Sequence, residues 1–232
     1  MYEELKKRVY EANLKLAEYG LVILTFGNAS EIDREKGVMA IKPSGVSYEK
    51  MTPDDIVVLD LNGKQVEGRL QPSSDTPTHL HLYASFPGIA GIAHAHSEYA
   101  TAFAQAGVEI QCLGTTQADF YPGSIPVTRE LREEEVASEY EFNTGRVIIE
   151  RLKNLNPDHY PACLVAGHGP FAWGKSGREA VDNLFMLEKI AKMAVLTKMI
   201  NPGAESLKDY LIKKHFERKH GPKAYYGQKK EK

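Results

Sequence analysis

The sequence is short of several things, and each shortage removes a class of protein. Two cysteines, Cys112 and Cys163, in 232 residues are too few for a disulfide scaffold, and both read as reduced packing residues. No apolar run approaches the ~20 residues that cross a bilayer, and the opening Met1-Tyr2-Glu3-Glu4-Leu5-Lys6-Lys7 is charged and amphipathic rather than a secretory leader. The expectation is a cytoplasmic chain with no membrane partner. Net charge is nearly absent too: 29 Lys and Arg against 31 Asp and Glu leave -2, so there is no global field to recruit nucleic acid. Internal repeats, low-complexity linkers and the lysine-bearing glycine loop of nucleotide-binding proteins are missing as well.

What is present is the composition of an ordinary globular domain, 42% hydrophobic and 26% charged. One domain over residues 1–228 is expected, with Lys229-Lys230-Glu231-Lys232 as a disordered tail. Leu5, Val9, Ala12, Leu16 and Tyr19 recur at spacings of four and three, predicting a helix over 2–19 that Gly20 ends. Strands are predicted at 21–25, 38–42, 56–60, around Val66, and at 89–96, 162–166 and 171–174, with Asn62-Gly63 as a two-residue hairpin turn. Helices are predicted from Thr76 to Phe86, from about Tyr99 to Gly107, at 143–154 and 178–200, and from Ser206. Strands in succession without an intervening helix argue for an α/β fold whose sheet has antiparallel parts.

Three strand ends deliver small polar turns: Gly27-Asn28, Ser44-Gly45 and Ser73-Ser74. Their backbone amides, hydroxyls and side-chain amide, with Lys42 adding charge, suit a phosphate monoester, although each alone reads equally as a plain turn. His94 and His96 stand at alternate positions of a strand and therefore project from one face. Two neutral imidazoles there, with His168 between two glycines at another strand end where a third ligand would have room, would satisfy a three-ligand zinc site of the catalytic type. His79 and His81, two apart on a helix, cannot face together. Asp75, just before Thr76-Pro77, serves equally well as a helix N-cap or as a fourth ligand. Asp119 in the turn-rich stretch 114–123 is a candidate carboxylate, and Glu133-Glu134-Glu135 reads as a solvated helix start. Tyr225 and Tyr226, adjacent and flanked by glycine turns, either pack back on the body or reach a neighbouring subunit.

Taken in order, Thr25-Phe26-Gly27-Asn28-Ala29-Ser30, Ile41-Lys42-Pro43-Ser44-Gly45-Val46, Pro72-Ser73-Ser74-Asp75-Thr76-Pro77-Thr78-His79, His94-Ala95-His96-Ser97, Gly114-Thr115-Thr116 with Ala118-Asp119, His168-Gly169-Pro170-Phe171-Ala172-Trp173-Gly174-Lys175 and Lys219-His220-Gly221 with Ala224-Tyr225-Tyr226-Gly227-Gln228 resemble the class II aldolase family, and within it the L-ribulose-5-phosphate 4-epimerases. The resemblance implies a three-layer α-β-α fold around a mixed, largely antiparallel sheet. It also implies a fourfold-symmetric homotetramer with active sites between adjacent subunits. Zinc, or manganese or cobalt, would be held by Asp75, His94, His96 and His168, and a sugar phosphate by Gly27, Asn28, Lys42, Ser44, Gly45, Ser73 and Ser74.

Asp119 and Tyr226 match the family's acid/base pair, Tyr226 coming from the neighbouring subunit, while Thr115, Glu141, His215 and Arg218 align with further residues of that region. The implied reaction interconverts L-ribulose 5-phosphate and D-xylulose 5-phosphate by C3–C4 cleavage and re-addition. Gln117 stands where the relatives resemble one another in carrying histidine, and Ala166-Gly167 replaces a more polar pair. The rivals are a class II sugar-phosphate aldolase such as L-fuculose-1-phosphate aldolase, whose kind carries glutamate at the Asp75 position, a dehydratase of the same superfamily, and a non-catalytic adducin-like module, for which ligands should be missing.

Overall fold

The apolar stripe of the first segment is realised as helix α1 (Glu3–Glu18), which buries Leu5, Val9, Ala12 and Leu16. A computed structural model describes residues 1–227; Gln228 and the expected tail at 229–232 lie outside the described residues. Gly20, at φ 67°, turns the chain out of α1. The predicted strand at 21–25 does not form. Leu21 N–H bonds back to Leu16 as a helix-end turn, Leu24 takes a left-handed φ of 53°, and Ile23, Leu24 and Phe26 are exposed. An apolar run becomes a strand only where a ladder partner exists, and here the chain enters the sheet later, at Asn28.

The sheet has seven strands in the order β4-β3-β2-β1-β5-β7-β6: β1 (Asn28–Asp33), β2 (Val38–Ile41), β3 (Val57–Asp60), β4 (Gln65–Glu67), β5 (Gly91–His94), β6 (Ala162–Val165) and β7 (Gly169–Gly174). Every pairing between them is antiparallel. The expected mixed character reduces to one isolated parallel bridge between Val127 and Leu164 among the described residues. The hairpin between β3 and β4 also differs from expectation. Asp60 N–H bonds to Lys64 O, so three residues rather than two form the loop, with Gly63 at φ 85° and the Asp60 carboxylate accepting from Asn62 and Lys64 N–H.

Alternation along the strands sorts side chains by size. Ala29, Ala40, Ala93 and Ala172 face α1, α3 (Glu98–Ala106) and α7 (Gly177–Ile200), and small residues let those helices lie close. Met39, Ile41, Ile92, Phe171 and Trp173 face the other way, onto α2 (Thr76–Ser85) and α6 (Tyr140–Leu152). The three layers follow. Gly91 marks the tightest point: a Cβ there would stand 2.0 Å from Ser176 O, so only glycine admits the start of α7 onto β5. Short α4 (Thr115–Ala118) and α5 (Glu133–Ala137) and the terminal α8 (Asp209–His220) complete the chain.

Glu135, expected in a solvated stretch, is buried. Its carboxylate accepts from Arg129 Nη1 and Nη2 at 2.8 and 2.9 Å, from Arg146 and from Arg132 N–H. It anchors the approach to α6. Cys112 and Cys163 are free and buried, as expected. Among the described residues no helix is long and apolar enough to cross a membrane.

Candidate active site

The register of the central strands assembles the site. Asn28 stands opposite His94 across β1 and β5, and β7 places Phe171 on the other side of His94. His94 ends β5, His96 follows two residues on, and His168 sits in the turn from β6 to β7. Their ligand atoms lie within 4.8 Å of one another, and the ring centroids are 4.7 to 5.1 Å apart. Gly169 makes this convergence possible. A Cβ there would press to 3.2 Å from Ala95 O and 3.4 Å from the His96 ring.

His94 is fixed twice, stacked on Phe171 at 4.1 Å and donating from Nδ1–H to the Pro170 carbonyl at 2.8 Å. A carbonyl only accepts, so the Nδ1 proton is assigned and Nε2 keeps its lone pair for a metal. Burial, with the neighbouring imidazoles, pushes the basicity of His96 and His168 below that of free histidine. Neutral rings are what a cation requires.

Asp75 occupies the N-cap position of α2 but makes no capping bond with its side chain. Instead its carboxylate accepts from Asn28 Nδ2 at 2.6 Å, and the same amide reaches Ser73 Oγ at 3.0 Å. The carboxylate therefore turns into the cavity and leaves the helix uncapped by its side chain. Burial opposes the Asp75 charge, but His94, His79 and the Asn28 amide outweigh it and hold the carboxyl below its usual range. Its oxygens are not part of the tight three-imidazole group; they lie in the same cavity.

Three imidazole nitrogens, an ionised carboxylate and a buried Asn28 Oδ1 with no partner form a donor set that fits zinc or another first-row divalent ion. The cavity around them, of about 350 Å³, is lined by all three small-residue turns as well. Gly27 (φ 89°) and Gly45 (φ 69°) supply backbone that other residues adopt only with strain. Lys42 is buried, with Nζ 3.3 Å from the Thr25 and Pro43 carbonyls and 4.9 Å from the centre of the Tyr48 ring. Burial lowers its pKa to about 8. An ammonium held by neutral groups alone is ready for an anion.

Tyr140 and Glu141 also line the cavity. The Tyr140 hydroxyl lies 3.4 Å from His168 Nδ1, and the sequence reading missed it because it began this helix at 143 instead of 140. Asp119 and Tyr226 are not brought into the cavity. They form a second cluster, in which Arg218 clasps Asp119 through Nε at 2.8 Å and Nη2 at 2.5 Å and His215 Nδ1 lies 3.0 Å away. Burial opposes the Asp119 charge, yet Arg218 and His215 keep its carboxyl below the usual range. The same guanidinium lies 5.1 Å from the centre of the Tyr226 ring, and Tyr226 is 61% exposed. Gln117 points inward, donating to Ile110 O and Gly123 O at 3.0 and 3.1 Å, so it braces a turn and stays out of the cavity.

The seven-stranded fold and its three-histidine cluster together define a class II aldolase fold. The profile described as Class II Aldolase and Adducin N-terminal domain matches residues 7–195, and the chain belongs to that family. Among curated proteins it is 57% identical over 227 residues, 98% of this chain and 100% of the other, to the L-ribulose-5-phosphate 4-epimerase UlaF of Salmonella paratyphi A, and equally to that of Salmonella typhi. Among solved structures it is similar to an L-fuculose 1-phosphate aldolase at 30% identity and a TM-score of 0.78, covering 93% of this chain and 95% of that one. It also shares its fold with YgbL from Klebsiella pneumoniae, at 24% identity and a TM-score of 0.72, covering 92% and 99%.

Proposed function

We propose that this chain is a metal-dependent epimerase interconverting L-ribulose 5-phosphate and D-xylulose 5-phosphate by breaking and re-forming C3–C4. One observation carries the reading: 57% identity end to end with an enzyme named for that reaction, in a chain whose four metal-site positions are all filled and share one cavity.

The C4–H of the substrate is not adjacent to the C2 ketone, so deprotonation cannot invert that centre. Removing the C4 hydroxyl proton lets the C3–C4 electron pair pass to C3. That step yields the enediolate of dihydroxyacetone and glycolaldehyde phosphate. Rotation of the aldehyde and re-addition to its other face, with protonation of the new C4 alkoxide, inverts the centre. A divalent ion held by His94, His96, His168 and Asp75, zinc first and manganese or cobalt as substitutes, supplies Lewis-acid polarisation of oxygen when bound. Gly27, Asn28, Ser44, Gly45, Ser73 and Ser74 hold the sugar phosphate, with Lys42 as its counter-charge.

Asp119 and Tyr226 serve as the acid/base pair. Both contact Arg218 and neither lines the cavity, which supports their reaching it from a second copy of the chain in a cyclic homotetramer with sites between subunits. A phosphorylated sugar does not cross bilayers, which supports a cytoplasmic enzyme.

The test is a coupled assay of L-ribulose 5-phosphate with xylulose 5-phosphate as the detected product. Epimerisation is the expected result; release of dihydroxyacetone without it would transfer the chain to the aldolase reading that its L-fuculose 1-phosphate aldolase neighbour favours. Lys42 gives a pH dependence. It is charged below about 8 and neutral above, so kcat/KM for the phosphorylated substrate should fall by up to roughly tenfold per pH unit above that point. Lys42→Met should abolish the alkaline limb; a limb that persists unchanged assigns it to another group.

A further inference from the structure

His79 is fully buried and carries no part of the mechanism described so far. It lies one helical turn beyond Asp75, its N–H bonded to the Asp75 carbonyl at 3.0 Å, so the two side chains share a face of α2. Its Nδ1 is 2.7 Å from Ser30 Oγ, and Ser30 Oγ is 2.8 Å from Tyr83 Oη, which lies 3.4 Å from the Ala90 carbonyl. Phe171 packs against the ring with its centroid 6.2 Å away, while stacking on His94 with its other contact. The ring is thus clamped between the core and the metal site.

Its Nε2 has no partner despite complete burial, a costly arrangement unless something satisfies it. A fully buried ring bonded only to a hydroxyl is neutral and carries a single proton. With the Tyr83 hydroxyl donating to Ser30, its nearer acceptor, and Ser30 donating to Nδ1, that proton stands on Nε2. The other tautomer would bury a second lone pair near the Asp75 carboxylate.

We propose that His79 is a positioning residue for Asp75: Ser30 and Tyr83 hold its ring as the Nε2–H tautomer, and Nε2 donates to the Asp75 carboxylate when that group turns to the metal. The inference rests on the metal reading given above. Histidines that serve metal sites indirectly lock ligand orientation, and their loss weakens metal affinity about 10–100-fold. His79 would therefore act on affinity through Asp75, not by ligation.

The experiment compares His79→Gln, which keeps an amide donor near the Nε2 position, with His79→Asn, which reaches only the Nδ1 side. Zinc affinity is measured on the full-length proteins by chelator competition, beside the melting temperature of the metal-free forms. Expected are a 10–100-fold affinity loss in H79N, recovery to within about threefold in H79Q, and no further loss when H79N is added to Asp75→Asn. Unchanged zinc affinity in H79N overturns the inference. So does an equal loss in the Asp75→Asn background, or a loss in both variants that tracks a lowered metal-free melting temperature. A wild-type protein that takes up no zinc overturns the metal reading itself.

Discussion

Replacing His168 by alanine is expected to lower kcat/KM at least about a thousandfold and to yield protein that purifies without stoichiometric metal. The magnitude follows from the several kcal/mol that a metal's Lewis acidity contributes, each 1.36 kcal/mol being tenfold in rate. The ligand atoms of His94, His96 and His168 lie within 4.8 Å of one another, so removing one leaves an incomplete cage. The fold should not suffer. His168 lies in a turn after Gly167 (φ 71°), is only partly buried, and contributes no strand pairing. His159→Ala is the control, since that ring is exposed and packs edge-on against Phe216 at 5.1 Å, far from this chemistry in role. Metal analysis beside steady-state kinetics decides the matter: activity within tenfold of wild type, with metal retained, would remove His168 from the ligand set.

How much of this site could be seen in the sequence depended on the range of the physics involved. His94 and His96 were readable because strand alternation fixes side-chain direction locally. The small-residue turns were readable because glycine and serine advertise backbone that approaches a ligand. Asp75 was ambiguous because a helix start wants an acceptor just there, and only the Asn28 amide across β1 shows where the carboxylate turned. The 21–25 run was misread for the opposite reason. Its apolar composition is that of a strand, but burial depends on a neighbour that the fold places elsewhere, leaving Leu24 82% exposed. Glu135 looked like solvated charge because its partners Arg129 and Arg146 arrive from both flanks of the turn. The union of Asp119 with Arg218, 99 residues apart, carries no local signature at all.

That last union bears on which copy supplies which residue, and mixing variants tests it. His168→Ala disables the metal half of a site. Tyr226→Phe removes only an exposed hydroxyl from the other half and should lower turnover by about 10²–10⁴, the span of a general acid or base, with zinc still bound. Co-expressed in equal amounts in cyclic oligomers, these two should recover about a quarter of wild-type activity, since half the metal sites are intact and half of those meet an intact neighbour. Activity no greater than the sum of the separate variants would place both halves in one copy, or show that the tail takes no part. Asp119→Asn sharpens the test. It should complement His168→Ala in the same way, but never Tyr226→Phe, because Arg218 holds Asp119 and Tyr226 on one copy and every site would then inherit one defect or the other. Recovery between those two would mean that the acid and the base come from different subunits, with the Arg218 cluster separating as the oligomer forms.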